Sequence, residues 1–143
     1  MTPEAMTVLA FDFGEKHIGI AVGQTLTGSA SALAPAGGGR RPQWSTIDKA
    51  VKEWQPALLV VGHPLNMDGT EQRLTAMCAR FGRQLKERYA LTVETAEELL
   101  TTIAARERIA QRTTRGGRAA SVHSVAAEII FETWFHNRAL GTD

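Results

Sequence analysis

Two apolar runs separated by three residues dictate how this chain begins to fold. Val8-Leu9-Ala10-Phe11-Asp12-Phe13-Gly14 reads as a buried β-strand and Ile18-Gly19-Ile20-Ala21-Val22-Gly23 as its hairpin partner, with a turn at Glu15-Lys16-His17. Asp12 interrupts the first run. An ionised carboxylate in such surroundings is costly unless a cation, a metal or several hydrogen-bond donors compensate it. Two readings follow. Asp12 accepts backbone N–H bonds from the turn around Gly14, or it binds a metal and takes part in chemistry.

The rest of the chain alternates helices and strands. Residues 28–34 read as a third strand ended by Pro35, and Gly37-Gly38-Gly39-Arg40-Arg41-Pro42 reads as a mobile loop without regular structure. Ser45 and Asp48 form a capping-box variant, and Ile47, Ala50, Val51 and Trp54 follow helical spacing, so a helix is expected over 45–54, stopped by Pro56. Residues 57–62 are continuously apolar, as suits a central strand covered on both faces. From Thr70, the positions of Leu74, Met77, Cys78, Phe81 and Leu85 predict a long amphipathic helix with Cys78 on its buried side. A short strand over 91–95 follows, then a helix capped by Thr101 or Thr102 and running to about Arg112. Residues 113–118 break it, and Ser121 begins a last helix through Ala126, Ala127, Ile130 and Trp134. This order predicts an α/β fold in which a three-stranded antiparallel ribbon is extended by two parallel strands, with helices on both faces. With 143 residues and no repeat, the expectation is a single domain over 1–143.

Charge and cysteine usage exclude several function classes. A net charge of +1 gives no overall attraction to nucleic acid, so that case rests on local clustering. Arg106, Arg108, Arg112, Arg115 and Arg118 are opposed only by Glu107 in the same stretch, and Gly116-Gly117 lets the backbone approach a phosphate chain closely. Arg40 and Arg41 add to the cluster. The alternative for such a run is a solvated face. Cys78 is the only cysteine, which excludes an internal disulfide and a cysteine zinc site and fits a reducing compartment. The chain opens without a basic-then-apolar leader and has no run of 18 apolar residues, so a cytoplasmic protein without membrane association is expected.

Four blocks carry a family resemblance. Leu9-Ala10-Phe11-Asp12-Phe13-Gly14 with Ile18-Gly19-Ile20-Ala21-Val22-Gly23, then Val61-Gly62-His63-Pro64-Leu65-Asn66-Met67-Asp68-Gly69-Thr70, Glu97-Glu98-Leu99-Leu100-Thr101-Thr102 and the helix over 124–135 resemble the YqgF/RuvX family. The resemblance runs in order through nearly the whole chain. It implies an RNase H-like fold and a nuclease, similar to Holliday-junction resolvases, that matures the 5′ end of pre-16S ribosomal RNA. The implied cofactor is Mn²⁺ or Mg²⁺, held by carboxylates and used to activate water and stabilise the oxygens of a phosphodiester. The implied partners are pre-16S rRNA or another structured nucleic acid and the ribosome, with the protein a monomer or dimer.

Site residues carry over position by position. Asp12 matches the first acid and Glu98 the second, with Glu97 as the alternative register. The family's third acid, an aspartate at the start of the last helix, is replaced by His123. Helical periodicity puts His123 on the stripe of Ala126, Ala127, Ile130 and Trp134, whereas Glu128 and Glu132 point elsewhere. His123 is then either a core histidine or a catalytic metal ligand. As a ligand, imidazole favours Mn²⁺ over Mg²⁺. Arg112, Arg115 and Arg118 are the expected nucleic-acid contacts. Asn66, in the loop after the central strand, either binds the substrate backbone or shapes the turn alongside Asp68. His17 reads as a turn residue, and His63 has no assigned role. Two rivals remain. One is an actin-like ATPase or sugar kinase, which needs two such domains. The other is a nucleic-acid-binding protein that is non-catalytic or directed at branched DNA.

Overall fold

The hairpin forms as predicted, and a computed structural model of the chain shows what surrounds it; the structure describes residues 5–63, 71–97, 107, 108, 110, 111 and 122–140. β1 (Thr7–Phe13) pairs antiparallel with β2 (Ile18–Gln24), which pairs with β3 (Ser29–Leu33). After the short β4 (Gly37–Gly38) and β5 (Arg41–Pro42), β6 (Leu58–His63) joins β1 in parallel and β7 (Thr92–Glu97) joins β6 in parallel. The sheet order is β3-β2-β1-β6-β7, the mixed five-stranded arrangement expected from the sequence. Among the described residues, no helix is long and apolar enough to cross a membrane.

Alternation along the strands sorts the core into two faces. Leu9, Phe11 and Phe13 of β1, with Ile18, Ile20 and Val22 of β2, pack against α1 (Trp44–Trp54) and α2 (Glu71–Tyr89). Phe81 of α2 lies at the centre of that layer, edge-on to Phe11 at 5.6 Å and tilted on Phe13 at 5.1 Å. Cys78, Phe81 and Leu85 are all buried there, as the helical spacing predicts. The opposite face presents Val8, Ala10, Leu58 and Val60 to Ile130, Phe131 and Trp134 of α3 (Val122–Leu140).

That second face is built from small residues. Gly19, Ala21 and Gly23 of β2 lie opposite Asp12, Ala10 and Val8 of β1, and α3 presses directly onto them. A Cβ at Gly19 would lie 2.0 Å from the His123 carbonyl oxygen, and one at Gly23 would lie 2.3 Å from the Phe131 ring. Eight helical residues and four strand residues both advance about 12–13 Å. The helix therefore lies flat along β2 and in the same direction.

Two expectations need correction. The 37–42 stretch is a small hairpin, not a mobile loop: β4 and β5 pair through Gly37–Pro42 and Gly38–Arg41. Its backbone finds partners on the β1–β2 turn, with Gly39 N–H donating to Gly14 O at 2.8 Å and Arg40 N–H to Glu15 O at 3.2 Å. Gly37 adopts φ +76°, and Gly38 packs so closely on Lys16 that a Cβ would meet its carbonyl carbon at 2.4 Å. Glycine here permits contact rather than motion. The second correction concerns the capping box. α1 begins at Trp44 and its N-cap, Gln43, makes no side-chain cap bond. Asp48 is instead taken by α2, accepting two 2.8 Å bonds from Arg88 and a 2.6 Å bond from the Tyr89 hydroxyl.

At the β3 edge of the sheet a carboxylate is buried. Glu128 of α3, 1% exposed, accepts the Ala32 N–H of β3 at 2.8 Å and an Arg108 N–H at 3.2 Å. Arg108 also forms a forked pair with Glu132, at 3.0 and 2.9 Å.

Candidate functional site

The site is set by one row across the sheet. Asp12 lies beside Gly19 of β2 and Gly62 of β6, and Gly62 lies beside Ala96 of β7. Every neighbour of the carboxylate in that row is glycine or alanine, so its side chain rises from a floor with little else on it. Asp12 is 4% exposed. What stands over it is the first turn of α3.

His123, the second residue of α3, has Nδ1 3.5 Å from Asp12 Oδ2, and its side chain is 33% exposed. Two features of β2 hold it there. Gly19 lets the His123 backbone come down onto the strand, and the Ile20 N–H donates to the buried Ser124 Oγ at 3.3 Å. A third group steadies the ring itself. His17, from the β1–β2 turn, stacks on His123 with centroids 4.4 Å apart and planes within 12°. His17 is thus more than a turn residue. The sequence reading missed Gly19, Ser124 and His17 as parts of the site. The alternation of small and large residues in Ile18-Gly19-Ile20-Ala21-Val22-Gly23 was the available sign that a helix approaches that face closely.

The Asp12–His123 pair has a definite chemical character. An N···O gap of 3.5 Å is too long for a strong hydrogen bond. It is also of the size that separates two donors of one cation at ligand distances of about 2.1 Å. A carboxylate oxygen suits Mg²⁺ and Mn²⁺ alike, and an imidazole nitrogen beside it favours Mn²⁺ of the two. Among the described residues, no cluster of three or more His, Cys, Asp or Glu side chains is placed to hold a metal. The two donors fit as part of a ligand set that needs a further acid. Cysteine does not compete: burial and then the Asp12 charge push the Cys78 thiol up to about 12, leaving it protonated at neutral pH.

Of the residues singled out from the sequence, Asp12 and His123 come together. Glu98, Asn66, Arg112, Arg115 and Arg118 lie outside the described residues. Glu97 ends β7, its backbone paired with His63 one step beyond the Asp12 row. Arg108 is committed to Glu128 and Glu132 rather than offered to a phosphate, so it leaves the expected basic cluster. Glu128 and Glu132 themselves are turned toward β3 and Arg108.

Comparison with known proteins agrees with this geometry. The profile of the RuvX family, described as Holliday junction resolvase, matches residues 6–137. A protein of Histophilus somni (strain 2336) named "Putative pre-16S rRNA nuclease" is 49% identical over 143 residues, covering 96% of this chain and 99% of that protein. One of the same name from Yersinia pestis (strain Pestoides F) is 47% identical over 138 residues, covering 93% and 96%. Among solved structures, Thermus thermophilus RuvC in complex with Holliday junction substrate superposes with a TM-score of 0.58 at 16% identity, covering 96% of this chain and 98% of that one. At that identity the likeness concerns the fold, which is RNase H-like.

Proposed function

The chain belongs to the RuvX family of Holliday junction resolvases, and from that membership we propose a divalent-metal-dependent nuclease that processes the 5′ end of pre-16S ribosomal RNA. As a member of this family it is a hydrolase of phosphodiester bonds. The observation that carries the finer reading is the placement of His123 Nδ1 3.5 Å from Asp12 Oδ2, at the one level of the sheet where every neighbour is small. Asp12, His123 and Glu98 are the residues that would hold the ion. Glu98 is preferred to Glu97 because it matches the family's second acid in the sequence resemblance. When bound, the ion supplies an activated water and charge stabilisation at the phosphodiester oxygens.

The chain's own residues do the rest. Burial keeps Asp12 away from bulk water, so its charge acts at close range. The solvent-facing side of His123 admits the scissile phosphate to a site whose floor is sheet backbone. The helix start above it contributes backbone dipoles that favour an anion. Arg112, Arg115, Arg118 and Asn66 are assigned to the flanking phosphates, positioning the strand without reading its sequence. The implied setting is the cytoplasm, with the ribosome precursor as the particle acted on.

The test is a cleavage assay. Pre-16S rRNA and four-way DNA are each incubated with Mn²⁺ or Mg²⁺, and Asp12→Asn should abolish cutting. His123→Asp should lower the Mn²⁺/Mg²⁺ activity ratio, and an unchanged ratio would show that the imidazole is not a ligand. Cleavage of the junction but not the RNA would reassign the substrate to branched DNA. Binding of RNA without metal-dependent cleavage would leave a binding protein.

A further inference from the structure

Glu15 offers a single oxygen to two arginines. Its Oε1 accepts a 2.7 Å hydrogen bond from Arg40 Nε and makes ion pairs with Arg40 Nη2 at 2.6 Å and Arg73 Nη2 at 3.0 Å. The paired guanidiniums hold the Glu15 carboxyl below its ordinary range, Arg40 first, with Lys16 adding to the field. Two cations on one carboxylate leave a net positive charge, and the side chains of Arg40 and Arg73 are 64% and 65% exposed. Arg41, next in the chain, is exposed as well. These groups come from the β1–β2 turn, the β4–β5 hairpin and the first turn of α2. The hairpin is sutured to the turn by the Gly39–Gly14 and Arg40–Glu15 backbone bonds, and Gly39 packs so closely over Phe13 that a Cβ would meet its ring at 2.4 Å.

Position gives this cluster a use. Glu15 is three residues beyond Asp12, which the chain can span in about 10 Å at most. A polynucleotide rises about 3.4 Å per phosphate along one strand, so the cluster stands within about three phosphates of the site. It also lies on the Phe13 side of the sheet, opposite the α3 side that holds His123. A strand crossing from His123 over the β1–β2 turn runs onto it.

We propose that Lys16, Arg40, Arg41 and Arg73 form a preassembled contact for the phosphate backbone of the RNA strand, beyond the turn that carries His17. The assignment rests on the nuclease reading and adds to it a second surface, separate from residues 112–118. Glu15 acts there as a scaffold: it orders two guanidiniums in advance, at the expense of part of their charge. Ordered side chains lose less freedom on binding than free ones.

The experiment uses the full chain carrying Asp12→Asn, which binds without cutting, and a fluorescent single-stranded RNA followed by anisotropy from 50 to about 300 mM KCl. Arg40→Gln with Arg73→Gln should weaken binding about tenfold and reduce the slope of log affinity against log salt by about 1.4, the value for two single-strand phosphate contacts. Arg88→Gln removes the same charge at the far end of α2 and should change nothing. If the double variant keeps the parent's affinity and slope, the cluster is a solvated face and the proposal falls. If the parent itself binds no RNA, the nuclease reading fails first and this proposal with it.

Discussion

Substituting Gly19 by alanine tests what positions the site. The new methyl carbon would lie 2.0 Å from His123 O, 2.1 Å from its carbonyl carbon and 2.4 Å from Ser124 N. All three are backbone atoms, so no side-chain rotation relieves the clash. Restoring ordinary contact near 3.5 Å requires the first turn of α3 to lift by more than about 1 Å. The lift breaks the 3.3 Å Ile20–Ser124 bond and carries His123 away from Asp12. Overpacking costs about 1–3 kcal/mol and the lost hydrogen bond about 0.5–1.5 kcal/mol. Together these are less than the 5–15 kcal/mol of an ordinary domain, so the variant should fold, with a melting temperature about 5–15 °C lower. Activity should suffer more, because a 1 Å misplacement of a reacting group costs about 100-fold. The assay pairs thermal unfolding with single-turnover cleavage in Mn²⁺. Gly23→Ala is the control: it meets the Phe131 ring, two turns farther along α3, and should destabilise without a comparable loss of rate per folded molecule. Wild-type cleavage by Gly19→Ala would refute the idea that helix docking on β2 sets the Asp12–His123 geometry.

Three further outcomes are expected. His17→Ala removes a ring stacked at 4.4 Å on His123, an interaction of about 0.5–1.5 kcal/mol, and should lower both Mn²⁺ affinity by calorimetry and cleavage severalfold; His17→Phe should restore them, and a Phe variant as weak as Ala would show that stacking is not the cause. Asp48 is held down to about 2 by hydrogen bonds from Arg88 and then Tyr89, against an ordinary 3.8, so its contribution is fully present above pH 4 and fades as pH falls toward 2. Both side chains of the Arg88–Asp48 pair are 44% exposed, so solvent screening keeps that contribution small; denaturant titrations of Asp48→Asn and wild type should stay apart above pH 4 and converge as pH falls through about 2. Cys78 is buried and protonated, so a disulfide-exchange reagent at pH 8 should label it only on unfolding, and fast labelling of native protein would place it elsewhere.

What the sequence disclosed depended on the range of the forces involved. Alternation in β1 and β2 and the apolar run at 57–62 are local patterns, and the sheet order followed from them together with the topology they permit. The α2 face was equally legible, because Cys78, Phe81 and Leu85 recur at helical spacing. Asp48 misled for the opposite reason: its spacing from Ser45 suggests a cap, but Arg88 and Tyr89, some forty residues away, provide stronger donors. The glycines at 37–39 look flexible in isolation, and only the β1–β2 turn, which takes up their backbone groups, makes them rigid. In the site, Asp12 was found because a carboxylate is out of place in an apolar strand, and His123 because it occupies the position of the family's third acid. Gly19 and Ser124 were not, since an absent side chain and a small hydroxyl carry no chemistry until the helix they receive is in place.

The buried carboxylate that α3 lays against the outermost antiparallel strand has a consequence for how copies of this protein meet. A bare strand edge invites the next chain to continue the ladder, the route by which sheets grow into aggregates. Here the Ala32 amide that an incoming strand would need is already answered by Glu128, which Arg108 holds in place. Any newcomer at that margin must first evict an anion from the protein interior, so growth of the sheet past β3 is blocked by chemistry rather than by bulk.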